Sequence, residues 1–338
     1  MQQSGRAAGR VTITDVARAA DVSVATVSKV INGRYGVAAS TVTRVQEVID
    51  RLGYESSIVA RSLRSHRTNV IGVLVAEFEP FSSEILKGAS SAIAGTGYEL
   101  LAYSGGGTIT SKIGWERRYL RRLGGTLIDG AILVTPTVEV VTAEFPVVAV
   151  DPHAGPGILP TIDSDNLAGA QIAVDHLIEL GHRRIGVLAG RPDLESSRLR
   201  AEGYRASRAA AGITYDETLV RDGDYRRETA IGPARGLLTL ADRPTAVFAA
   251  NDLSALGLLD VAAELGLRIP EDLSVVGFDN IPESALTSPA LTTVSQPLQR
   301  MGAEAVALLT GLIDGTAEAT THLTLPTELV RRGTTSAR

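Results

Sequence analysis

Residues 12–54 read TITDVARAADVSVATVSKVINGRYGVAASTVTRVQEVIDRLGY, and this stretch decides how the chain begins. Thr12 is a good N-cap, with Asp15 three residues on to approximate a capping box. Ile13, Val16, Ala17 and Ala20 then fall on one helical stripe. Asp21 and Val22 leave room only for a tight turn. Ser23 is a second N-cap, and Val27, Val30 and Ile31 give the next helix its apolar side. Asn32-Gly33 ends that helix. Val42, Val45, Ile49 and Leu52 recur at steps of three and four, so a third helix runs to Gly53. Two helices joined by so short a turn form a helix-turn-helix, and the third closes its core.

A unit of this kind lays its second helix in the DNA major groove. Val24, Ala25, Ser28 and Lys29 are its outward positions. Val24 and Ala25 can meet thymine methyls only through apolar surface, whereas Lys29 can donate to guanine O6 or N7. Thr12, Thr14, Ser23, Thr26 and Asn32 complete the candidate DNA-facing set of the head. The bland alternative is a small surface helical bundle. Charge favours DNA. Residues 1–69 carry ten Lys/Arg against five Asp/Glu, a net +5 in a chain of net −5, so the remainder is −10. A basic head on an acidic body is the asymmetry expected when only the head meets phosphate.

A chain of 338 residues suits two or three domains. It has no cysteine, which excludes disulfides and thiolate metal sites. Its five histidines show no metal spacing, and His176 and His182 read as structural. No metal and no cofactor is expected. The glycines of SGGGT (104–108) have neither dinucleotide-binding spacing nor a P-loop lysine, and no catalytic set emerges, so the reading is not of an enzyme. No signal-like apolar stretch opens the sequence, and no apolar run approaches ~20 residues, so a cytoplasmic protein with no membrane contact is expected. MQQSGRAAGR (1–10) reads as a disordered basic arm.

From residue 70 onward, apolar runs alternate with amphipathic segments. VIGVLVA (70–76) and residues 99–104, 130–135 and 146–150 read as strands, with helices near 82–96 and 112–123. The pattern then restarts. Residues 184–190, 245–251 and 273–280 read as strands, with helices near 166–180, 196–211, 227–241 and 252–265. Such alternation implies parallel sheets covered on both faces, here as two similar Rossmann-like α/β lobes. Ligands in these sheets bind beyond the carboxyl ends of the strands, so a cleft between lobes is the default binding site.

The residues also resemble those of the LacI/GalR family of bacterial transcriptional regulators. The resemblance is carried by ITDVARAADVSVATVSKVINGR (13–34), ARSLRS (60–65), DSDNLAGAQIAVDHLIELGHRRIGVLAG (163–190), RLRAEGYRAS (198–207), FAANDLSALG (248–257) and IPEDLSVVGFDNIPESALTSPALTTVSQP (269–297). It implies an all-α helix-turn-helix head on an α/β body of two lobes of the periplasmic-binding-protein type. The implied divisions are an arm (1–10), a DNA-binding domain (11–55), a hinge helix and linker (56–69) and an effector-binding and dimerisation domain (70–338). The N-lobe would comprise about 70–162 and 294–322, and the C-lobe about 163–293 and 323–333. The resemblance further implies a homodimer on a near-palindromic operator, with Leu63 wedged in the minor groove beside Ala60 and Arg64. Four positions depart from the family pattern. Asp21 replaces a turn glycine, Ser56 and Ser57 replace Pro-Asn before the hinge, and Ala38 replaces a capping serine.

For the effector, the resemblance points to Phe81, Ser82, Arg200, Tyr225, Asn251, Asp279 and Gln296. This set suits a mono- or disaccharide. Polyols need paired donors and acceptors, a carboxylate accepts hydroxyl protons well, and an aromatic face covers a sugar ring. The expected function is repression of sugar-utilisation genes, relieved by a small sugar. A nucleoside or purine effector, a corepressor partner, and, more remotely, a sugar-binding transport protein are the alternatives. The C-terminal sequence has no heptad run, so a dimer is expected rather than a coiled-coil tetramer.

Overall fold

The computed structural model describes residues 11–31, 35–54, 67–105, 113–124, 127–137 and 143–338. The expected arm (1–10), Asn32, the hinge positions Ser56, Ser57, Ala60, Leu63 and Arg64, and part of the 104–108 glycine run lie outside these residues. Contacts divide the chain after Thr68 into a head and a body.

In the head, α1 (Ile13–Ala19), α2 (Val24–Ile31) and α3 (Ala39–Leu52) follow one another. The Asp15 N–H donates to Thr12 Oγ1 at 3.4 Å, and the Thr12 N–H donates back to the Asp15 carboxylate at 3.0 Å, closing the capping box. Asp21 takes φ 51° in the turn, a left-handed geometry that Asp tolerates better than most residues. Ser23 Oγ accepts the Thr26 N–H at 3.1 Å and caps α2. Ala38 makes no side-chain cap, and Gly53 ends α3 at φ 60°. Val16, Ala17, Ala20, Val27, Val45 and Val48 form the core, with Ile49 and Leu52 packed against it. The expected stripe is corrected at one point. Val42, near the start of α3, is exposed, and Val48 takes the inward place, so the packed face of α3 runs through Val45, Val48, Ile49 and Leu52.

The body holds two sheets. In the first are β1 (Val70–Val75), β2 (Glu99–Ser104), β3 (Gly130–Val134), β4 (Val147–Val150), β5 (Thr161–Ser164) and β11 (His322–Leu325). Their order is β11-β5-β4-β3-β1-β2, all parallel. β1, β3 and β4 are buried along their whole length, as strands covered on both faces must be. Helices α4 (Pro80–Ala92), α5 (Trp115–Leu123) and α10 (Leu298–Ile313) belong to this lobe. α4 and α10 pack on the sheet through Ile85, Ala89, Met301, Ala305 and Leu309. They also touch each other closely: a Cβ on Gly302 would lie 2.0 Å from the Ile85 carbonyl oxygen.

The second sheet contains β6 (Ile185–Ala189), β7 (Val220–Asp222), β8 (Ala246–Ala249), β9 (Ser274–Asp279), β10 (Thr292–Ser295) and β12 (Glu328–Val330), in the order β12-β10-β9-β8-β6-β7. Only the edge pair β10–β12 is antiparallel among the described strands. α6 (Asn166–Glu179) and α7 (Glu195–Ala210) cover one face through Val174, Leu177 and Tyr204. α8 (Arg227–Leu238) and α9 (Asp252–Glu264) cover the other through Leu237, Leu258 and Val261.

The chain passes between the lobes after Ser164, after Ser295 and after Leu325, each two or three residues later than the approximate divisions implied by the resemblance. The late strand β11 pairs with β5, so residues 323–325 complete the N-lobe rather than the C-lobe. His176 and His182 bond Thr335, Thr245 and Ser274 at 3.0–3.1 Å and fasten the C-terminal segment to the C-lobe.

Candidate functional site

Two sites follow from these units. In the head, the capping geometry aims one face of α2 and the start of α1 outward. Thr12, Thr14, Ser23, Val24, Ala25 and Lys29 are exposed there, and Thr26 and Ser28 are half-buried. Short polar and apolar tips with one lysine suit base edges and thymine methyls.

In the body, a cavity of about 490 Å3 lies where the carboxyl ends of both sheets face each other. That volume is in the range of small-molecule sites. Ala76, Glu77 and Glu79 follow β1, Thr135 follows β3, and Asp151 follows β4. Asp224 and Tyr225 follow β7, Asn251 follows β8, and Asp279 ends β9. Among the described residues, eight other than glycine have positive φ, and five of them line this cavity: Thr135, Asp151, Asp224, Tyr225 and Asp279. Strain of this kind is held where a site needs a particular side-chain direction.

Arg200 is the organising cation. It is 3% exposed and donates Nε to Asn166 Oδ1 at 2.8 Å. Its Nη1 donates to the Ala250 carbonyl and lies 3.4 Å from the Asp279 carboxylate. The guanidinium stacks on Phe278 at 3.8 Å and lies 5.5 Å from the Tyr225 ring. Tyr225 fits because residue 190 is glycine: a Cβ there would sit 2.1 Å from the tyrosine ring. Asn251 donates to the Tyr225 carbonyl at 3.0 Å and accepts the Ser254 N–H at 2.9 Å, so it caps α9 while facing the cavity.

Three carboxyls here are raised above the ordinary carboxylate range. Burial pushes Asp279 up to about 7, opposed by Arg200 and Gln296 and reinforced by repulsion from Glu79 and Asp151. Burial also raises Asp151, against the pull of Arg200, and raises Glu79, against the N–H groups of Ser82 and Phe81. Burial lowers His153 to about 4, with Arg191 adding repulsion, so this ring is neutral at ordinary pH.

The expected effector residues therefore converge, with one correction. Phe81, Ser82, Arg200, Tyr225, Asn251 and Asp279 line the cavity, but Gln296 stands behind the wall. There its Nε2 donates to Asp279 at 2.7 Å and its Oε1 accepts from Ser164 Oγ, because the crossover after β10 buries it between the lobes. Phe81 and Ser82 sit in the first turn of α4, and Ser82 Oγ is already engaged with the Glu77 carbonyl at 2.7 Å. Glu79, Asp151, Thr135, Thr137 and Trp115 were not foreseen. Asp151 and Glu79 had a readable signal, since each lies just beyond an apolar strand. Trp115 had none.

Residues 12–57 match the family described as bacterial regulatory proteins, lacI family, and residues 174–335 match a periplasmic binding protein-like domain. The HTH-type transcriptional repressor PurR of Photobacterium profundum is 35% identical over 306 residues, covering 88% of this chain and 90% of that one. The chain belongs to the LacI family. It is a DNA-binding transcriptional repressor with that family's helix-turn-helix head and two-lobed α/β body. The PurR of Vibrio atlanticus is 38% identical over the same length. Among solved LacI-family structures, the lac repressor dimer bound to operator and the anti-inducer ONPF aligns over 97% of this chain and 100% of its own, with TM-score 0.86 and 29% identity. A CelR–cellobiose complex aligns over 96% of this chain and 100% of its own, with TM-score 0.72 and 34% identity. Among the described residues, no helix is long and apolar enough to cross a membrane.

Proposed function

We propose that this repressor binds a near-palindromic operator as a homodimer and releases it when a neutral sugar occupies the cleft. One observation carries the choice of ligand. The cavity gathers three carboxyls that burial pushes above the ordinary carboxylate range, beside a fixed arginine and a tyrosine face. Sugar hydroxyls donate further hydrogen bonds to these carboxyls, and the tyrosine covers an apolar ring face. Acidic lining residues (Glu77, Glu79, Asp151, Asp224, Glu228 and Asp279) outnumber arginines (Arg191, Arg200, Arg226 and Arg227), which disfavours a phosphorylated or carboxylated ligand.

A purine is the second reading, favoured by the names of the PurR relatives. A flat base would stack on Tyr225 and donate ring N–H groups to the same carboxyls, but it would satisfy fewer of them.

The DNA contacts are Thr12, Thr14, Ser23, Val24, Ala25, Thr26, Ser28 and Lys29, with Asn32, Ala60, Leu63 and Arg64 extending the set through the family pattern. Lys29→Ala is expected to relax discrimination at one base pair of each half-site by roughly 1–3 kcal/mol if the contact is bidentate. Ligand in the cleft shifts the population of lobe arrangements, and a coupling of roughly 1–3 kcal/mol changes operator affinity about 5–150-fold. Calorimetry with a panel of mono- and disaccharides and free purines tests the ligand class. Gel shifts on the protein's own upstream DNA test the coupling. Arg200→Ala should abolish the effector response and keep operator binding. Normal ligand affinity in that variant would move the pocket elsewhere.

A further inference from the structure

Four buried side-chain polar atoms lack a hydrogen-bond partner among the described residues, and two of them belong to this cavity. One is the Tyr225 hydroxyl, which lies near Ser197 without hydrogen-bond geometry. The other is Nε1 of Trp115, a residue 4% exposed in the opposite lobe. Buried donors are almost always satisfied, so an indole N–H left without an acceptor in a ligand cavity points to an acceptor that arrives with the ligand.

Trp115 is held firmly in place. It begins α5, and Glu116 beside it accepts the Thr137 N–H at 2.6 Å and the Thr137 hydroxyl at 3.0 Å. The Gly114 N–H donates to the same hydroxyl at 2.8 Å. The indole packs edge-on against Tyr119, with centroids 5.6 Å apart, and Tyr119 packs in turn on Tyr103 at 4.6 Å. Its ring contact among the described residues is with Tyr119 and not with Tyr225. Among the described residues, no hydrogen bond joins it to the Arg200–Asp279–Gln296 network. Besides Phe81, the cavity thus has one aromatic side chain with a polar tip in each lobe.

We propose that Trp115 forms a second sugar subsite and that the effector is a disaccharide. One ring stacks on Tyr225 within reach of Arg200 and Asp279. The other stacks on Trp115, whose Nε1–H donates to a ring, hydroxyl or glycosidic oxygen. This rests on the saccharide reading above and adds the number of rings and the residue that selects for it.

Trp115 is also the one tryptophan in the sequence, so the protein's tryptophan emission reports this wall alone. Full-length protein is titrated with cellobiose, maltose and glucose, by calorimetry and by emission in parallel. A disaccharide is expected to bind and to shift or quench the emission with the calorimetric midpoint. Trp115→Phe keeps the ring and removes the donor. It should weaken the disaccharide about tenfold while leaving glucose unchanged. A disaccharide that binds without moving the emission of the unaltered protein overturns the subsite. So does a Trp115→Phe loss that is equal for glucose. If calorimetry finds no saccharide bound at all, the saccharide reading itself fails.

Discussion

Asp279 makes the cleft sensitive to protons, and the sign can be worked out. Burial holds its folded-state value near 7, above the ordinary 3.8, so the folded body binds more protons than the unfolded chain between those values. Stability contributed by this group is present below the ordinary value and lost as pH rises through the folded one. Asp279→Asn keeps an acceptor for Gln296 and Arg200 and removes that loss. It is expected to raise the melting temperature of the ligand-free protein at about pH 8 and to change it little at about pH 5. A variant that melts lower at both pH values would contradict this. On the saccharide reading, ligand hydroxyls donating to the carboxylate would pull its value down. Binding near pH 7 should therefore release protons, and affinity should rise from about pH 6 to about pH 8. Calorimetry in two buffers of different ionisation enthalpy measures the release directly.

Among the elements, the α4–α10 contact is the tightest test of packing. Gly302 lets the helices meet backbone to backbone, so Gly302→Ala drives a methyl into the Ile85 carbonyl. Overpacking of this kind should cost about 1–3 kcal/mol in urea unfolding, with the slope unchanged. The sequence showed most elements but not this contact. Strands such as VIGVLV and AILV are legible because burial on both faces leaves a continuous apolar run. The edge strand β7 and the late strand β11 are short and half-exposed, so their pattern carries little signal. The head was legible for the opposite reason. Thr12, Asp15, Ser23 and Gly53 are caps whose chemistry is local, whereas Val42 and Val48 exchanged places because a tertiary contact chose between them. In the cleft, the family motifs located Arg200 and Asp279. Trp115 escaped because it sits on a helix rather than at a strand end, where no rule of sheet topology points.

At the scale of the molecule, the two lobes are joined across the cavity mouth as well as at the crossovers. Arg226 of the C-lobe donates to Glu77 of the N-lobe at 3.1 Å, and the Glu195 N–H donates to the His153 carbonyl at 2.7 Å. The arginine pair is partly exposed, so it contributes only about 0–1 kcal/mol. Arg226→Ala is expected to weaken effector affinity by no more than about fivefold, mainly through faster release, with the effect fading at high salt. Stopped-flow dissociation rates at two ionic strengths would check it. The passage of the chain from lobe to lobe has a further effect, on synthesis. Leu298, Met301, Val306 and Leu309, which fill the first lobe's core, come from α10, late in the chain. During translation that lobe must wait, with Ile85 and Ala89 uncovered, until nearly the whole protein has left the ribosome. Nascent chains stalled before Leu298 should therefore engage chaperones and be cleaved across α4, whereas the released full-length protein should be protected there.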